Sequence, residues 1–599
     1  MPKLPMERDE EQGVLGGLPL PPGLPGFAGK FMPIEPAREL YRRVRSAPQG
    51  SRLEALLTEM KIKLEVQLTD IERIPVKGPL VAVANHPFGV LDGAALGVLL
   101  SRVRPDVKIL TNSLLEGIPE LHEHCIFVDP FHTASAVDKN VRPLKQAMDW
   151  LHQGGALAVF PAGEVSQWNV REAQITDPTW NTLAARLVRE TGASALPVYF
   201  CGRNSVNFQL LGLINPRLRT LFLLQEFLQQ REKNVQIRIG KAIPSELIAN
   251  LDSDAEATEY LRLRTYLLSY RGKKPISLPT KMRSAFPRKP QENIASEVPS
   301  RFVINDIAAL PAERLLVETA DFAVYFARAS ELPHALDEVG RLRELTFRAA
   351  GEGTGRSADL DQFDAYYWHL LLWNKEKQEL AGAYRAGNTD EIIRAHGIKG
   401  LYTNTVFRYN EQLFLKIGSA LELGRSFVRP EYQRQYAPLL LLWKGIARFV
   451  AAHPETPVLF GAVSISNEYS SLSREMIVRY FEQREDGREF ADLVHARTPF
   501  RAPMLRRWDC GALCSVLRDL DELAEPISDV EEDGKGLPIL LKQYAKVGGR
   551  LVGFNLDRKF SDVVDGLVIV DLRQTVPAVL ERYMGKEGYA GFRRFHRLD

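Results

Sequence analysis

The segment Val81-Ala-Val-Ala-Asn-His86-Pro-Phe-Gly-Val-Leu-Asp92-Gly93 holds residue types suited to moving a proton. An apolar run ends at Ala84, a loop opens with Asn85 and His86, and the carboxylate of Asp92 follows just past Gly89. An imidazole titrates near neutrality, and a carboxylate beside it fixes its tautomer and stabilises the cation formed as it takes a proton. Such a pair suits deprotonation of an alcohol. A lone histidine is more often structural, so the reading leans on two further segments. Val159-Phe160-Pro161-Ala-Gly163-Glu164-Val-Ser166 trails another apolar run, and its Pro and Gly predict a tight turn. That turn could present backbone N–H groups and Ser166 to a phosphate or a carboxylate. Leu196-Pro197-Val198 marks a further strand end.

A second constellation lies in the other half of the chain. Asp359-Leu-Asp361-Gln-Phe-Asp364 is followed by His369-Leu370 and Gly382-Ala-Tyr-Arg385. Then come Leu421-Glu422-Leu-Gly424-Arg425-Ser-Phe-Val428 and Leu459-Phe460-Gly461-Ala-Val-Ser464. Charges within otherwise buried strands need partners or a purpose. Taken singly, each is explained by a structural ion pair. Glu422 and Arg425 sit three apart in one strand, which puts them on opposite faces unless a bulge intervenes.

The elements that must position these residues follow from periodicity. Short apolar runs at Leu80–Ala84, Lys108–Leu110, Ile126–Val128, Ala156–Phe160, Ala195–Phe200 and Val235–Ile239 predict buried strands. Helical patterns at Val141–His152 and Trp180–Thr191 alternate with them, which predicts an α/β domain. A second α/β pattern begins at Arg301, with a helix over Glu331–Phe347, strands at Ala381–Tyr384 and Leu421–Val428, and a helix over Ala437–Ala452. The expected division is a flexible Pro/Gly-rich arm over 1–36, a first domain over 37–271, a basic Pro-rich linker over 272–300, and a second domain over 301–599.

Composition narrows the classes. The chain has 599 residues, 45% hydrophobic and 25% charged, with a formal net charge of +2, so no global field draws it to nucleic acid. The four cysteines are too scattered for a disulfide scaffold, and Cys510 and Cys514 read as buried thiols, as expected in a reducing cytoplasm. No stretch reaches the roughly 18 to 20 apolar residues of a membrane span. The acidic cluster lacks the His or Gly spacing of a cation site, so no metal is expected. An amphipathic segment, Leu210–Gln229, and the basic linker are candidate contacts for a lipid surface, although core packing and solvation explain them about as well.

The first set of motifs, over roughly residues 60–245, resembles the glycerolipid O-acyltransferase superfamily of lysophosphatidic acid acyltransferases. The resemblance implies that His86 is the general base and Asp92 its orienting partner. It places Phe160, Pro161, Gly163, Glu164 and Ser166 in the acceptor site. Three departures stand out: five rather than four residues between His86 and Asp92, a proline where the second motif (Phe127-Val-Asp129-Pro130) usually ends in Arg, and a carboxylate at Glu164 rather than at Ala162. They suggest an acceptor without a glycerol phosphate.

The second set, over about Leu342–Leu572, resembles the acyl-homoserine-lactone-synthase-like branch of the N-acetyltransferase fold, and in particular ornithine N-acyltransferases. By that resemblance a strand bulge offers an N–H to the thioester oxygen. Asp361, Asp364 and Glu422 would bind and help deprotonate an amine, and Arg385 and Arg425 would organise the acidic site. Glu422 and Arg425 are the expected catalytic residues. The usual coenzyme A pyrophosphate loop is missing, which favours an acyl carrier protein over acyl-CoA as donor, met by a basic patch of Arg429, Arg434, Lys444 and Arg448.

The joint expectation is a fused, bifunctional aminolipid synthase working from the cytoplasmic face of the inner membrane, with no bound cofactor. The second half would N-acylate ornithine or a similar amino acid with a 3-hydroxyacyl group. The first half would then O-acylate the 3-hydroxyl of the lyso-aminolipid. A lysophospholipid acyltransferase with an accessory second domain, and a lipid-binding protein without activity, are the alternatives.

Overall fold

The structure is a computed structural model. It describes residues 33–48, 50–129, 134–169, 174–209, 216–272, 291–501, 517, 519–558, 560 and 562–598, together with two short strands at 14–15 and 18–19. Most of the expected arm, residues 273–290 of the expected linker, the start of the 210–229 segment, Pro130, Cys510 and Cys514 lie outside these residues. The chain divides into two compact units, residues 1–272 with 507–534, and residues 273–506 with 535–599.

The first unit is built on a seven-stranded sheet. Its strands are β1 (Lys63–Glu65), β2 (Leu80–Ala84), β3 (Val107–Asn112), β4 (Cys125–Val128), β5 (Ala156–Val159), β6 (Ser194–Cys201) and β7 (Asn234–Ile239), in the spatial order β1-β7-β6-β2-β5-β3-β4. Every pair is parallel except β6 with β7. All five residues of β2 are buried, as are the four of β5, because parallel strands are covered on both faces and read as unbroken apolar runs. Register sets Ala84 opposite Val198 and Val83 opposite Val159, so the loops leaving β2, β5 and β6 emerge side by side. Helix α1 (Val90–Ser101) starts directly after the first of these loops and packs Leu91, Ala94, Ala95 and Leu99 into the core. Helices α2 (Leu183–Thr191) and α3 (Asp254–Leu267) complete the frame of the site.

The second unit holds an eight-stranded sheet. Its strands are β8 (Leu315–Glu318), β9 (Phe322–Arg328), β10 (Trp368–Asn374), β11 (Glu379–Asn388), β12 (Ala420–Val428), β13 (Val458–Ile465), β14 (Arg550–Asp557) and β15 (Val563–Asp571), ordered β8-β9-β10-β11-β12-β13-β15-β14. All pairs are antiparallel except β12 with β13, which pair only from Ala420/Val458 to Leu423/Gly461. A Cβ on Gly461 would stand 2.1 Å from the Leu423 carbonyl oxygen, so this close junction requires glycine. Beyond it, Gly424–Val428 pairs only with β11, and Ala462–Ile465 only with β15. Helix α4 (Ala335–Ala349) packs Val339 and Leu342 with Leu371, Ala383 and Phe427. On helix α5 (Tyr436–Ala452), Phe449 stacks on Phe326 with ring centroids 4.0 Å apart.

One helix departs from the expected division. Helix α6 (Leu520–Val530) lies late in the sequence yet belongs to the first unit. Its Asp529 is buried and bonds Arg264 at 2.7 Å, Arg73 at 3.3 Å and the Lys241 N–H at 2.8 Å, while Arg271 donates to its carbonyl at 2.7 Å. No linear boundary at 272–300 can express this, because the ion pairs that place the helix join residues more than two hundred positions apart.

Candidate active sites

The loop after β2 carries His86, and its geometry follows from what grips the backbone around it. Asn85 is buried and exchanges two hydrogen bonds with Phe200 at the end of β6, at 2.7 and 3.0 Å. Asp92, in the first turn of α1, accepts from the Phe88 and Gly89 N–H groups at 2.8 and 3.0 Å, a usual way for a carboxylate to satisfy a helix start. Gly89 adopts φ +77°, which lets the chain accommodate five residues between His86 and Asp92 and still close the pair. His86 Nδ1 stands 3.0 Å from Asp92 Oδ2. The contact is electrostatic rather than a well-aligned hydrogen bond, since that oxygen already faces the two backbone N–H groups. The His86 side chain is 19% exposed and that of Asp92 is 0% exposed, so of the pair only the imidazole reaches solvent. Burial pushes the Asp92 carboxyl up, against the lowering influence of His86 and the two N–H groups.

The Phe160–Ser166 turn closes on the same point. The Phe160 ring lies 4.4 Å from the His86 ring, centroid to centroid. Gly163, at φ +67°, donates to the Phe160 carbonyl at 3.0 Å and closes the turn. Pro161 is buried, Gly163 and Glu164 are exposed, and Ser166 is buried. Ser166 N–H donates to the His86 carbonyl at 2.9 Å, and its hydroxyl donates to Asp177 at 2.5 Å. The hydroxyl is thus held by the protein rather than offered to a ligand. Asp177 is a residue that sequence reasoning missed. It also accepts from the His86 N–H at 3.1 Å and Trp180 Nε1 at 3.0 Å, and its own N–H donates to the Tyr266 hydroxyl at 2.8 Å. Burial pushes its carboxyl up as well, against the bonds it accepts. An acid in a segment with no periodic signal gives no sign of itself until the fold brings it under the histidine.

In the second unit the pairing of β11 with β12 shifts register between Ala383 and Arg385, where two steps on β11 match three on β12, from Phe427 to Gly424. Arg425 sits in this bulge at φ +52°, an uncommon conformation for a residue other than glycine. The bulge resolves the parity problem: both residues meet Tyr402, whose N–H donates to Glu422 at 3.2 Å and whose ring lies 4.9 Å from the Arg425 guanidinium.

The acidic residues expected to meet an amine are largely engaged by the protein. Asp364 pairs through one oxygen with Arg343 and Arg385, each at 3.2 Å, and through the other with Arg343 at 2.9 Å and the Asp361 N–H at 2.8 Å. Those guanidinium groups hold it well below the usual carboxylate range, despite burial. Asp361 accepts from Arg385 at 2.7 Å and from the Phe363 N–H at 2.9 Å. Glu422 is buried and accepts from the Thr403 N–H at 2.6 Å, the Tyr402 N–H and the Tyr367 hydroxyl. Burial pushes Glu422 up, against those bonds and the charge of Arg385. His369 is buried, its ring nitrogen is 2.9 Å from the Asp364 carbonyl, and burial lowers it to about 4, so it stays neutral there. Arg343, Tyr367, Tyr402 and Thr403 were not singled out in the sequence. Their signal was available only for Arg343, a cation on the apolar face of a helix. Of the expected basic patch, Arg429 is paired with Glu379 at 2.6 Å, while Arg434 and Arg448 are exposed. Among the described residues no group of three or more His, Cys, Asp and Glu is arranged to hold a metal, and no helix is long and apolar enough to cross a membrane.

Comparison with known proteins bears on both units. Residues 58–272 match the acyltransferase family, and residues 342–444 match the acetyltransferase (GNAT) domain family. A glycine N(alpha)-acyltransferase of Bacteroides thetaiotaomicron is 30% identical over 263 residues, 41% of this chain and 76% of the relative. A lyso-glycine lipid O-acyltransferase of Phocaeicola vulgatus is 28% identical over 223 residues, 36% of this chain and 77% of the relative. An L-ornithine N(alpha)-acyltransferase of Brucella abortus is 28% identical over 180 residues, 26% of this chain and 61% of the relative. The protein is an acyltransferase whose N-terminal acyltransferase domain is joined to a GNAT-like domain, and at that identity and coverage the chain belongs to the family of the Bacteroides glycine N(alpha)-acyltransferase.

Proposed function

We propose that the chain carries out two consecutive acyl transfers to one aminolipid. The observation that carries this reading is that a single chain resembles two separate relatives, one named for N-acylation of glycine and the other for O-acylation of a lyso-glycine lipid. In the GNAT-like unit an acyl thioester, from an acyl carrier protein or coenzyme A, gives its 3-hydroxyacyl group to the amine of an amino acid such as glycine or ornithine. In the first unit the 3-hydroxyl of that lyso-lipid attacks a second acyl thioester. His86 takes the hydroxyl proton through Nε2, because Nδ1 faces Asp92, and Asp92 stabilises the imidazolium. The Phe160 ring shields one side of the imidazole from water. Asp177 and Ser166 act through the His86 backbone and position it.

In the second unit the bulge supplies the oxyanion contact, and Glu422 holds the Tyr402–Thr403 segment against Arg425. Asp361 and Asp364 fix Arg385 rather than meeting the amine themselves. Because acceptor and product are lipids, the enzyme works at the surface of the inner membrane.

Lipid profiling of a bacterial host expressing the wild type, His86→Ala or Glu422→Ala tests the assignment. The expected results are a phosphorus-free aminolipid from the wild type, its lyso form alone from His86→Ala, and neither from Glu422→Ala. Consumption of lysophospholipid with no aminolipid from the wild type would replace this reading with a phospholipid acyltransferase.

A further inference from the structure

Arg425 is a cation that the described residues leave without a hydrogen bond. Its guanidinium lies 4.7 Å from the Phe560 ring, 4.9 Å from the Tyr402 ring and 5.9 Å from the Phe347 ring. Its Nε is 3.5 Å from Asp359 but unaligned for a hydrogen bond, and no other oxygen of the described residues accepts from it. Arg385, whose side chain is 1% exposed, stands 4.8 Å from the same Tyr402 ring with Nε and Nη2 unpartnered. The protein thus holds two guanidinium groups at one aromatic ring, against a bulge at φ +52°, with N–H groups it does not use. Unpaired buried donors are costly, and each calls for a partner such as a bound ligand.

Beyond the Leu423/Gly461 junction, Arg425 stands two positions along β12, and Asp565 pairs in register with Ser464, three positions along β13. Asp565 is on β15 and is buried. One of its oxygens accepts from Ser464 of β13 at 2.9 Å, and the other accepts nothing among the described residues. Ser464 lies in the stretch of β13 that has parted from β12. Glu352 is half-buried, and its carboxyl accepts no hydrogen bond among the described residues. Burial, then the charge of Asp557, pushes Asp565 up to about 7. Burial, then the charge of Glu468, pushes Glu352 up to about 7, and Arg425 opposes the rise in both. Asp361, Asp364 and Glu422 each accept several protein hydrogen bonds, and Asp359 Oδ2 lies between the Arg343 and Arg425 guanidinium groups at 3.1 and 3.5 Å. Asp565 has an open oxygen and no ion-pair partner among the described residues.

We propose that Arg425 and Asp565 form an α-amino acid subsite, in which Arg425 holds the acceptor's carboxylate and Asp565 receives the proton of its ammonium group. This rests on the N-acylation reading given above and adds the recognition element and the proton acceptor. Asp565 takes one proton from the ammonium. The free amine then attacks the carbonyl carbon of the acyl thioester, so that a C–N bond forms and the C–S bond breaks. The second amine proton leaves with the sulfur as the thiol. An acceptor with an amine but no carboxylate leaves Arg425 unpaired and is rejected.

The test uses the purified full chain with a 3-hydroxyacyl thioester donor, and compares glycine and ornithine with their amides. Wild type is expected to use the amino acids with kcat/KM about 50-fold or more above the amides, since a site built around a polar group rejects analogues that lack it. Arg425→Gln should raise the amino acid KM by a similar factor while leaving the donor KM unchanged. Asp565→Asn should lower kcat by about 100-fold and regain rate as pH rises and more of the amine is free. Equal use of amino acid and amide by wild type overturns the carboxylate contact, and this comparison decides even if a variant does not fold. An unchanged kcat in Asp565→Asn overturns the proton acceptor. If wild type acylates no amino acid and no amino amide, the N-acylation reading itself fails; acylation of amides as readily as amino acids leaves that reading in place and removes only the subsite.

Discussion

The two candidate sites reach similar chemistry by opposite arrangements of charge. Around His86 the protein presents one half-buried imidazole that reaches solvent and buries the carboxylates that hold it, Asp92 and Asp177, among backbone N–H and side-chain O–H and N–H donors. No arginine contacts either acid among the described residues. Around the half-buried Arg425, that residue, the buried Arg343 and Arg385 and three aspartates compensate one another, and the aromatic rings of Tyr402, Tyr367 and Phe363 surround Arg385. Neutral donors let an acid's proton affinity rise, which suits a carboxylate that has only to orient an imidazole. Cations keep acids ionised, which suits a scaffold that must stay charged while the proposed amino acid acceptor comes and goes. The contrast also predicts where each unit breaks.

The largest effect is expected in the second unit. Arg343→Met leaves Asp359 and Asp364 without their shared partner, and breaking a buried pair from one side costs about 3–5 kcal/mol. Thermal or urea unfolding of the full chain should show the second unit's transition shifted and the first unit's unchanged. A shift in both, or in neither, would remove the distinction drawn above.

A smaller loss is expected from Asp177→Asn. The amide keeps one acceptor but turns an N–H toward a donor, so one of the Ser166, Trp180 or His86 bonds fails, at roughly 1–3 kcal/mol. Because Asp177 holds the His86 backbone, O-acylation should fall in kcat with little change in KM, while N-acylation persists. A comparable loss is expected at Gly89. Alanine there must hold φ +77° and ψ −127°, outside the left-handed helical region, with its Cβ 3.4 Å from Val165, which costs roughly 1–3 kcal/mol and falls on the turn that closes His86 onto Asp92. A loss of O-acylation larger than the loss of stability explains would show that the extra residue between the pair depends on this glycine.

Much of the frame was legible. The apolar run at Leu80–Ala84 is a strand with those bounds, and the runs near 126, 156, 195 and 235 are strands within a residue or so of expectation. The runs at 80 and 156 are buried on both faces and carry no polar positions, while the one at 235 alternates, with Gln236 exposed between Val235 and Ile237. The helix expected over 437–452 begins one residue earlier, at Tyr436. His86 with Asp92 could be paired from local order, since the pair spans one loop, whereas Glu422 and Arg425 meet only through Tyr402, which the sequence did not single out.

What the sequence by itself determined is therefore local: which runs are strands, where the loops with chemistry begin, and that the chain holds two α/β units of different kind. What only the tertiary structure decided depends on distance along the chain. Asp177 reaches His86 from ninety-one positions away, Asp565 reaches Ser464 from one hundred and one, and Asp529 joins the first unit across two hundred and sixty-five to meet Arg264. Which carboxylates are engaged and which are open was likewise hidden. A carboxylate's freedom depends on the donors that folding brings to it, and for Asp364, Glu422 and Asp565 most of those donors lie on other elements. Sequence order carries the periodicity of an element, but the hydrogen bonds of a buried charge are settled when the elements pack.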